Sequence, residues 1–320
     1  MKPICTSARR HMLSHQSDSH ERVRTMNDPA LVLHGEHRLR SDVDWEISLA
    51  LGQVAAPALR EVLLESTAGG KRIRPLLTVL ACAAAGGRTQ DALPAAVALE
   101  LLHASSLVHD DIMDNADLRR GAPAIHKKYG IPMAILAGDA LIAAAYRVLQ
   151  NSPSDRMGDI LSTFSNCFLA LCEGQSADID APGENAADPP NHRWMVERKT
   201  ARLVEACTRI GALSGSGDRR IVDALGRYGF QLGLAYQAVD DVLDATGDEA
   251  TTGKTVGLDA RNGRRTYLTL AYPSADVHGE ARLIITHHTA EAVSALDDLE
   301  PSEARDQLAN IALELLRRRS

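Results

Sequence analysis

From Ser41 to the end of the chain, apolar residues recur mostly at helical spacing, and no stretch alternates with period two long enough to propose a sheet. Ser41 and Asp42 can cap a helix running towards Ser66, which Gly69 and Gly70 end. Pro75 stands where a first helical turn tolerates a missing N–H, so it opens a helix through Ala85. Thr89 caps a long apolar stretch from Asp91 to Asp114. Further helical periods cover 132–150, 155–180, 191–214, 218–246, 275–297 and 302–317. Gly183 to Pro190 reads as an exposed loop. The expectation is an all-α protein, with one helical domain over residues 41–320 behind a mobile tail over residues 1–40.

Composition agrees with that pattern. Aromatic residues are only 3% of the chain, and Ala and Leu abound, which favours helix over strand. The tail has no apolar run of the kind a secretory signal needs, and no window is uninterruptedly apolar over the span of a membrane helix, so no transmembrane segment is expected. Formal net charge is −7 with Lys and Arg dispersed, which argues against a nucleic-acid partner. The 5 cysteines form no CxxC pair and read as reduced core thiols of a cytoplasmic protein.

Two segments echo each other: Leu107-Val-His-Asp-Asp-Ile-Met-Asp114 and Gln237-Ala-Val-Asp-Asp-Val-Leu-Asp244. Each closes a long, mostly apolar helix with a DDxxD group. Helical spacing projects Asp110, Asp111 and Asp114 from one face, and Asp240, Asp241 and Asp244 likewise. Like charges gathered at the end of a helix where the dipole already disfavours anions cost stability unless cations bind there. Oxygen-only ligands suit Mg²⁺, which keeps several waters and uses few carboxylates plus substrate phosphates. A single cluster is also what a solvated acidic patch looks like; two on apolar helices point to a metal site. Basic groups supply the complementary half. Gly69-Gly-Lys-Arg-Ile-Arg-Pro75 sets Lys71, Arg72 and Arg74 at a helix start, and Arg119 and Arg120 follow the first acidic cluster. Lys199, Lys254, Arg264 and Arg265 are further candidates.

In this order, GGKRIRP, ELLHASSLVHDDIMDNADLRRG, GDAL, EGQSAD, RKTA, YQAVDDVLD, GKTVGLD and GRRT resemble the trans-isoprenyl diphosphate synthases of the polyprenyl synthetase family, from about Ala68 to Thr266. The resemblance implies the isoprenoid synthase helical bundle around a deep central cavity, homodimeric, with three Mg²⁺ between two acidic helices. Its substrates are an allylic diphosphate and isopentenyl diphosphate. It also implies roles residue by residue. Asp110, Asp111, Asp114 and Asp240 match metal ligands, with Asp241 and Asp244 as outer or water-mediated partners. Arg119, Lys199 and Lys254 match contacts to the allylic diphosphate. Lys71, Arg74, His103 and Arg120, with the backbone at Gly70, match the isopentenyl diphosphate site. Thr200 and Gln237 match positions beside the developing allylic cation, and Gln175 and Asp178 match a further active-site helix. His126 and Tyr129 are assigned to packing. Two departures stand out: a late family Lys is Arg264 here, and the usual TLP after it reads Thr266-Tyr267-Leu268.

Ser105 and Ser106 precede Asp110 by five and four residues, where farnesyl-type relatives carry bulky aromatics that shorten the product pocket. Small side chains leave it open, and one helical turn of about 5.4 Å approximates one isoprene unit. Phe164, Phe168 and Phe230 fall on stripes that can face the cavity. Phe164 or Phe168 is expected to form a floor that gives a twenty-carbon, geranylgeranyl product. Longer-chain or farnesyl synthesis, class I terpene cyclisation and a non-catalytic regulatory subunit are the alternatives. The intact GGKRIRP and Arg119-Arg120 count against cyclisation, and six retained aspartates count against a subunit without activity.

Overall fold

A computed structural model of the chain describes residues 36–180, 189–246 and 277–316. The tail over 1–35, residues 183–188 of the expected loop, and Lys254, Arg264 and Arg265 lie outside the described residues, while Pro189 and Pro190, expected in that loop, are helical. The helices are α1 (Glu36–Gly52), α2 (Pro57–Thr67), α3 (Ile73–Ala84), α4 (Thr89–Met113), α5 (Ile125–Tyr129), α6 (Ile131–Leu149), α7 (Met157–Asp180), α8 (Pro189–Val196), α9 (Arg202–Ser214), α10 (Arg219–Thr246), α11 (Val277–Ala295) and α12 (Glu303–Leu315). A π-helical turn, Glu197–Ala201, joins α8 to α9, and a two-stranded hairpin, β1 (Leu118–Arg119) and β2 (Ala122–Pro123), follows α4.

Several boundaries differ from the sequence expectation. The first helix begins at Glu36, so Ser41 and Asp42 lie inside it and residues 36–40 are not tail. It breaks after Gly52 because Pro57, at the start of α2, lacks the N–H a continuing helix would need. The stretch expected as one helix over 191–214 is α8, the π-turn and α9, because a π-turn inserts an extra residue into the helical repeat. Strands of two residues are too short for alternation to reveal them.

The centre of the protein is α4. Between Ala95 and Leu102 no residue is more than 4% exposed, because α6, α3 and α9 pack around it. The largest apolar cluster runs from Val43 to Leu315. By length and composition α4 and α6 could each cross a membrane; both contain a charged residue, Glu100 and Asp139, so neither is an uninterrupted apolar run. Burial explains the apolar character of α4. The outward face of α6 is different: Ile131, Ile135 and Leu136 stand 51%, 45% and 55% exposed.

Candidate active site

The end of α4 builds the first part of the site. Asp114 caps the helix, its N–H on the Asp110 carbonyl at 2.8 Å, and Asn115 turns the chain back with φ 49°. The β1–β2 hairpin, paired Leu118 to Pro123 and Arg119 to Ala122, returns Arg119 over the helix. Its Nε donates to Asp111 Oδ1 and Oδ2 at 3.0 and 3.2 Å, and its Nη2 also reaches Oδ1. The expected convergence of Asp110, Asp111 and Asp114 on one point is therefore corrected: Asp111 is buried and turned onto Arg119. Burial pushes Asp110 up to about 6; Lys199 and Arg119 oppose the shift, while Asp114 and Asp111 add to it.

The second acidic helix, α10, is tied to the π-turn that carries Lys199 and Thr200. Asp240 is exposed and Asp241 is buried. Thr200 Oγ1 donates to Gln237 Oε1 at 2.7 Å, and Gln237 Nε2 donates to Asp241 Oδ1 at 2.8 Å. Next to Thr200, Lys199 Nζ donates to Asp178 Oδ2 on α7 at 2.6 Å. The π-turn thus links α7 and α10 and lies close enough to Asp110 for the Lys199 charge to act on it. The side chain of Asp244 lies outside the described residues.

The basic loop before α3 is shaped by left-handed backbone at Gly69, Gly70 and Arg72, with φ 73°, 88° and 54°. Arg72 turns inward and is 6% exposed. It spans Glu100 Oε1 at 2.7 Å, Asp44 Oδ1 at 2.8 Å and the Thr67 carbonyl at 2.7 Å. It therefore braces the loop, which corrects its reading as an anion donor. Lys71 is exposed, and the Arg74 Nε is buried with no partner among the described residues. Arg120 donates to the Ala68 carbonyl at 2.8 Å and lies against Gly70, where a methyl group would sit 3.0 Å from its Nη2. Burial lowers the Arg120 pKa; Glu100 opposes this, and Arg72, Arg119 and Arg74 reinforce it. Gly70 and Arg120 are in contact, and the Arg74 charge acts on Arg120. His103 is half-buried, and its carbonyl accepts from Ser106 Oγ at 2.9 Å.

The chain-length residues separate. Ser105 is buried, and its hydroxyl has no partner among the described residues. Phe164 is fully buried, edge-on to Tyr146 with ring centroids 5.1 Å apart. Phe168 is half-buried against the main core. Phe230 instead packs under the Arg202 guanidinium, 5.1 Å from its ring, beside Val196, Ala201 and Leu234. Tyr129, assigned to packing, donates to Glu65 Oε2 at 2.6 Å. Sequence reasoning missed Glu100, whose signal was a lone charge in the apolar run Ala92–Leu102. Gln175, matched by resemblance to an active-site helix, has both amide atoms buried and unpartnered among the described residues.

Among the described residues, no three acidic, His or Cys side chains close on one point as a complete metal cage. What Asp110, Asp114 and Asp240 offer is carboxylate oxygen near the ends of two long helices. That donor set fits Mg²⁺, which fills the rest of its octahedron with water and substrate phosphate.

Comparisons with known proteins agree with this arrangement. A polyprenyl synthetase family profile matches residues 56–298. The short chain isoprenyl diphosphate synthase of Methanothermobacter thermautotrophicus is 37% identical over 278 residues, 77% of this chain and 86% of that protein. The geranylgeranyl diphosphate synthase of Methanosarcina mazei is 38% identical over 253 residues, 77% of this chain and 76% of its own length. The crystal structure of geranylgeranyl pyrophosphate synthetase from Pyrococcus horikoshii superposes with a TM-score of 0.81 at 30% identity, covering 88% of this chain and 97% of that one. With its helical bundle, two helices that end in acidic clusters and a basic loop, the chain belongs to the polyprenyl synthetase family of trans-prenyltransferases.

Proposed function

We propose that the protein is a Mg²⁺-dependent isoprenyl diphosphate synthase that condenses an allylic diphosphate with isopentenyl diphosphate head to tail, releases pyrophosphate, and makes geranylgeranyl diphosphate. One observation carries this reading. The π-turn that carries Lys199 and Thr200 is bonded to α7 through Asp178 and to the acidic helix α10 through Gln237 and Asp241, and the Lys199 charge acts on Asp110 of α4.

Asp110, Asp114 and Asp240 would hold Mg²⁺, with Asp111, Asp241 and Asp244 supporting them. Once bound, the metal supplies Lewis-acid screening of the leaving diphosphate. Lys199, Arg119 and Lys254 grip that diphosphate, so charge developing on it as the allylic C–O bond breaks meets fixed cations. Thr200 and Gln237 align oxygen atoms beside the resulting cation, while their hydrogen bond keeps both in register. Lys71, Arg74, His103, Arg120 and the Gly70 backbone hold isopentenyl diphosphate so that its double bond attacks the allylic carbon. A new C–C bond forms, and the proton lost to restore the alkene leaves with the pyrophosphate. Apolar helices around the site exclude the water that would otherwise trap the cation.

Ser105 and Ser106 set no bulky side chain in the turn before Asp110, and half-buried Phe168 is the floor candidate we favour, since Phe164 is fully buried in its contact with Tyr146. The exposed apolar face of α6, with Leu161 and Leu169 of α7, is the surface we assign to a homodimer. Free, buried Cys82, Cys167 and Cys207 accord with a cytoplasmic setting.

The test is incubation of purified protein with Mg²⁺, isopentenyl diphosphate and, separately, dimethylallyl, geranyl and farnesyl diphosphates. Linear twenty-carbon product with stoichiometric pyrophosphate is expected. Cyclic hydrocarbon without isopentenyl uptake, or no turnover, overturns the reading; a longer linear product overturns only the assigned length.

A further inference from the structure

The π-turn Glu197–Ala201 is fastened by its side chains to neighbouring helices. Arg198 pairs with Glu173 on α7 and stacks on Trp194 at 4.7 Å, Lys199 bonds Asp178 on α7, and Thr200 bonds Gln237 on α10. Its backbone is enclosed just as closely. A methyl group on Gly174 of α7 would lie 2.6 Å from the Lys199 nitrogen, 2.9 Å from its Cα and 3.0 Å from its Cβ. A methyl group on Gly233 of α10 would lie 2.6 Å from the Ala201 Cα and 3.2 Å from its Cβ. Both glycines sit within helices and neither has a positive φ, so conformational freedom does not require glycine at either position. Glycine inside a helix costs about 1 kcal/mol relative to alanine. Space is what these two positions need: each is where another helix's backbone touches.

We propose that Gly174 and Gly233 are positioning residues for prenyl transfer, a pair that clasps the π-turn from α7 and α10 and fixes how far the Lys199 ammonium projects towards Asp110 and the Thr200 hydroxyl towards Gln237. The inference rests on the roles given to Lys199 and Thr200 above. A π-turn is rare and marks functional sites because it spoils regular helix geometry to aim particular side chains. Its i→i+5 hydrogen bonds, such as that of the Arg202 N–H to the Glu197 carbonyl, leave a wider turn than an α-helix, and the backbone packed against it sets where its side chains point. A methyl group at either contact meets backbone rather than the end of a flexible side chain, so the turn itself must move. A displacement of about 1 Å at reacting groups is enough to lower a rate about 100-fold. The effect belongs to the allylic half of the reaction, because the loop around Gly70 and Arg120 does not touch the π-turn's two glycines.

The experiment compares Gly174→Ala and Gly233→Ala with Gly229→Ala. Gly229 lies one turn earlier on α10, and a methyl group there would overlap Thr208 Oγ1 and come within 2.7 Å of the Val204 carbonyl, equally crowded but against α9. Each variant is assayed for kcat, for both KM values, for melting temperature, and for hydrolysis of the allylic diphosphate with Mg²⁺ and no isopentenyl diphosphate, which reads the ionisation step alone. Gly174→Ala and Gly233→Ala are expected to lose 10-fold or more (order of magnitude) in kcat and in allylic hydrolysis, with isopentenyl KM within about 3-fold of the parent. Gly229→Ala is expected to lose melting temperature comparably but to keep kcat within about 3-fold. Parent-like hydrolysis in a folded Gly174→Ala or Gly233→Ala protein overturns the proposal, as does a Gly229→Ala variant equally impaired in ionisation. If one alanine variant fails to fold, the other decides. Lys199→Ala in the same assay separates the two levels of argument: full activity there overturns the underlying site assignment, whatever the glycines do.

Discussion

Arg119, on a two-residue strand, holds Asp111, the second aspartate of the first acidic cluster, with Nε 3.0 and 3.2 Å from its two carboxylate oxygens. The charge expected to meet diphosphate is thus anchored by a buried carboxylate, and the hairpin is fixed to the end of α4. A planar guanidinium makes this two-oxygen contact and an ammonium does not. Arg119→Lys should therefore lower kcat/KM for the allylic substrate by about 10- to 100-fold (roughly 1.4 to 2.8 kcal/mol) while isopentenyl KM changes little, measured by steady-state kinetics with each substrate varied in turn.

Burial holds Asp110 up at about 6, so a proton competes for that carboxylate at a higher pH than for an ordinary aspartate. Above pH 6 the carboxylate is charged and available to metal; below it the proton wins. At limiting Mg²⁺, the rate should fall as pH drops through about 6, and saturating Mg²⁺ should move that acid limb to lower pH. An acid limb that ignores Mg²⁺ concentration would contradict this.

The Thr200–Gln237–Asp241 chain predicts a graded series. Thr200→Ser keeps the hydroxyl and should retain most activity. Thr200→Val leaves the Gln237 oxygen without its donor and should lose about 10- to 100-fold in kcat, with melting temperature changed little. Equal activity of the two variants, measured at saturating substrates, would remove Thr200 from the chemistry.

His288, on α11, donates from Nδ1 to Gln231 Oε1 at 2.7 Å, since that oxygen can only accept. Burial, then His287 and Arg193, lower its pKa to about 4 from 6.5. Between those values the unfolded chain binds the proton more readily, so stability is present above pH 6.5 and is lost as pH falls towards 4. The slope from this one group is at most about 1.4 kcal/mol per pH unit. Urea unfolding at pH 7.5 and pH 5 should show the loss, and His288→Gln should reduce it.

Product length provides a fifth independent handle. Phe168→Ala should lengthen the product by about one isoprene unit, and Ser106→Tyr should shorten it, because one helical turn of about 5.4 Å approximates one unit. Mass analysis of dephosphorylated products reads both; an unchanged product from Phe168→Ala removes that side chain from the floor.

Much of this was legible in the residues. Apolar periodicity located α4, α6, α7 and α10 within a residue or two, and the repeated DDxxD groups marked where α4 and α10 end. What escaped has physical reasons. Arg72 and Arg74 look alike in sequence, and only a left-handed backbone at Arg72 sends its side chain inward to Glu100. Asp110 and Asp111 are adjacent, and the choice between them falls to a hairpin too short to show any alternation. The π-turn adds one residue to a helical repeat without altering its composition, so Glu197–Ala201 reads as ordinary helix until Gly174 and Gly233 are seen against it.

The most direct test of the account is crystallographic: the protein with an unreactive allylic thiodiphosphate and Mn²⁺ in place of Mg²⁺, with the metals located by anomalous scattering. Metal peaks should bridge the diphosphate to Asp110 and Asp114 on one side and Asp240 on the other, with Lys199 on the diphosphate oxygens. Peaks confined to one helix, or a diphosphate bound away from the Lys199-Thr200 turn, would contradict it.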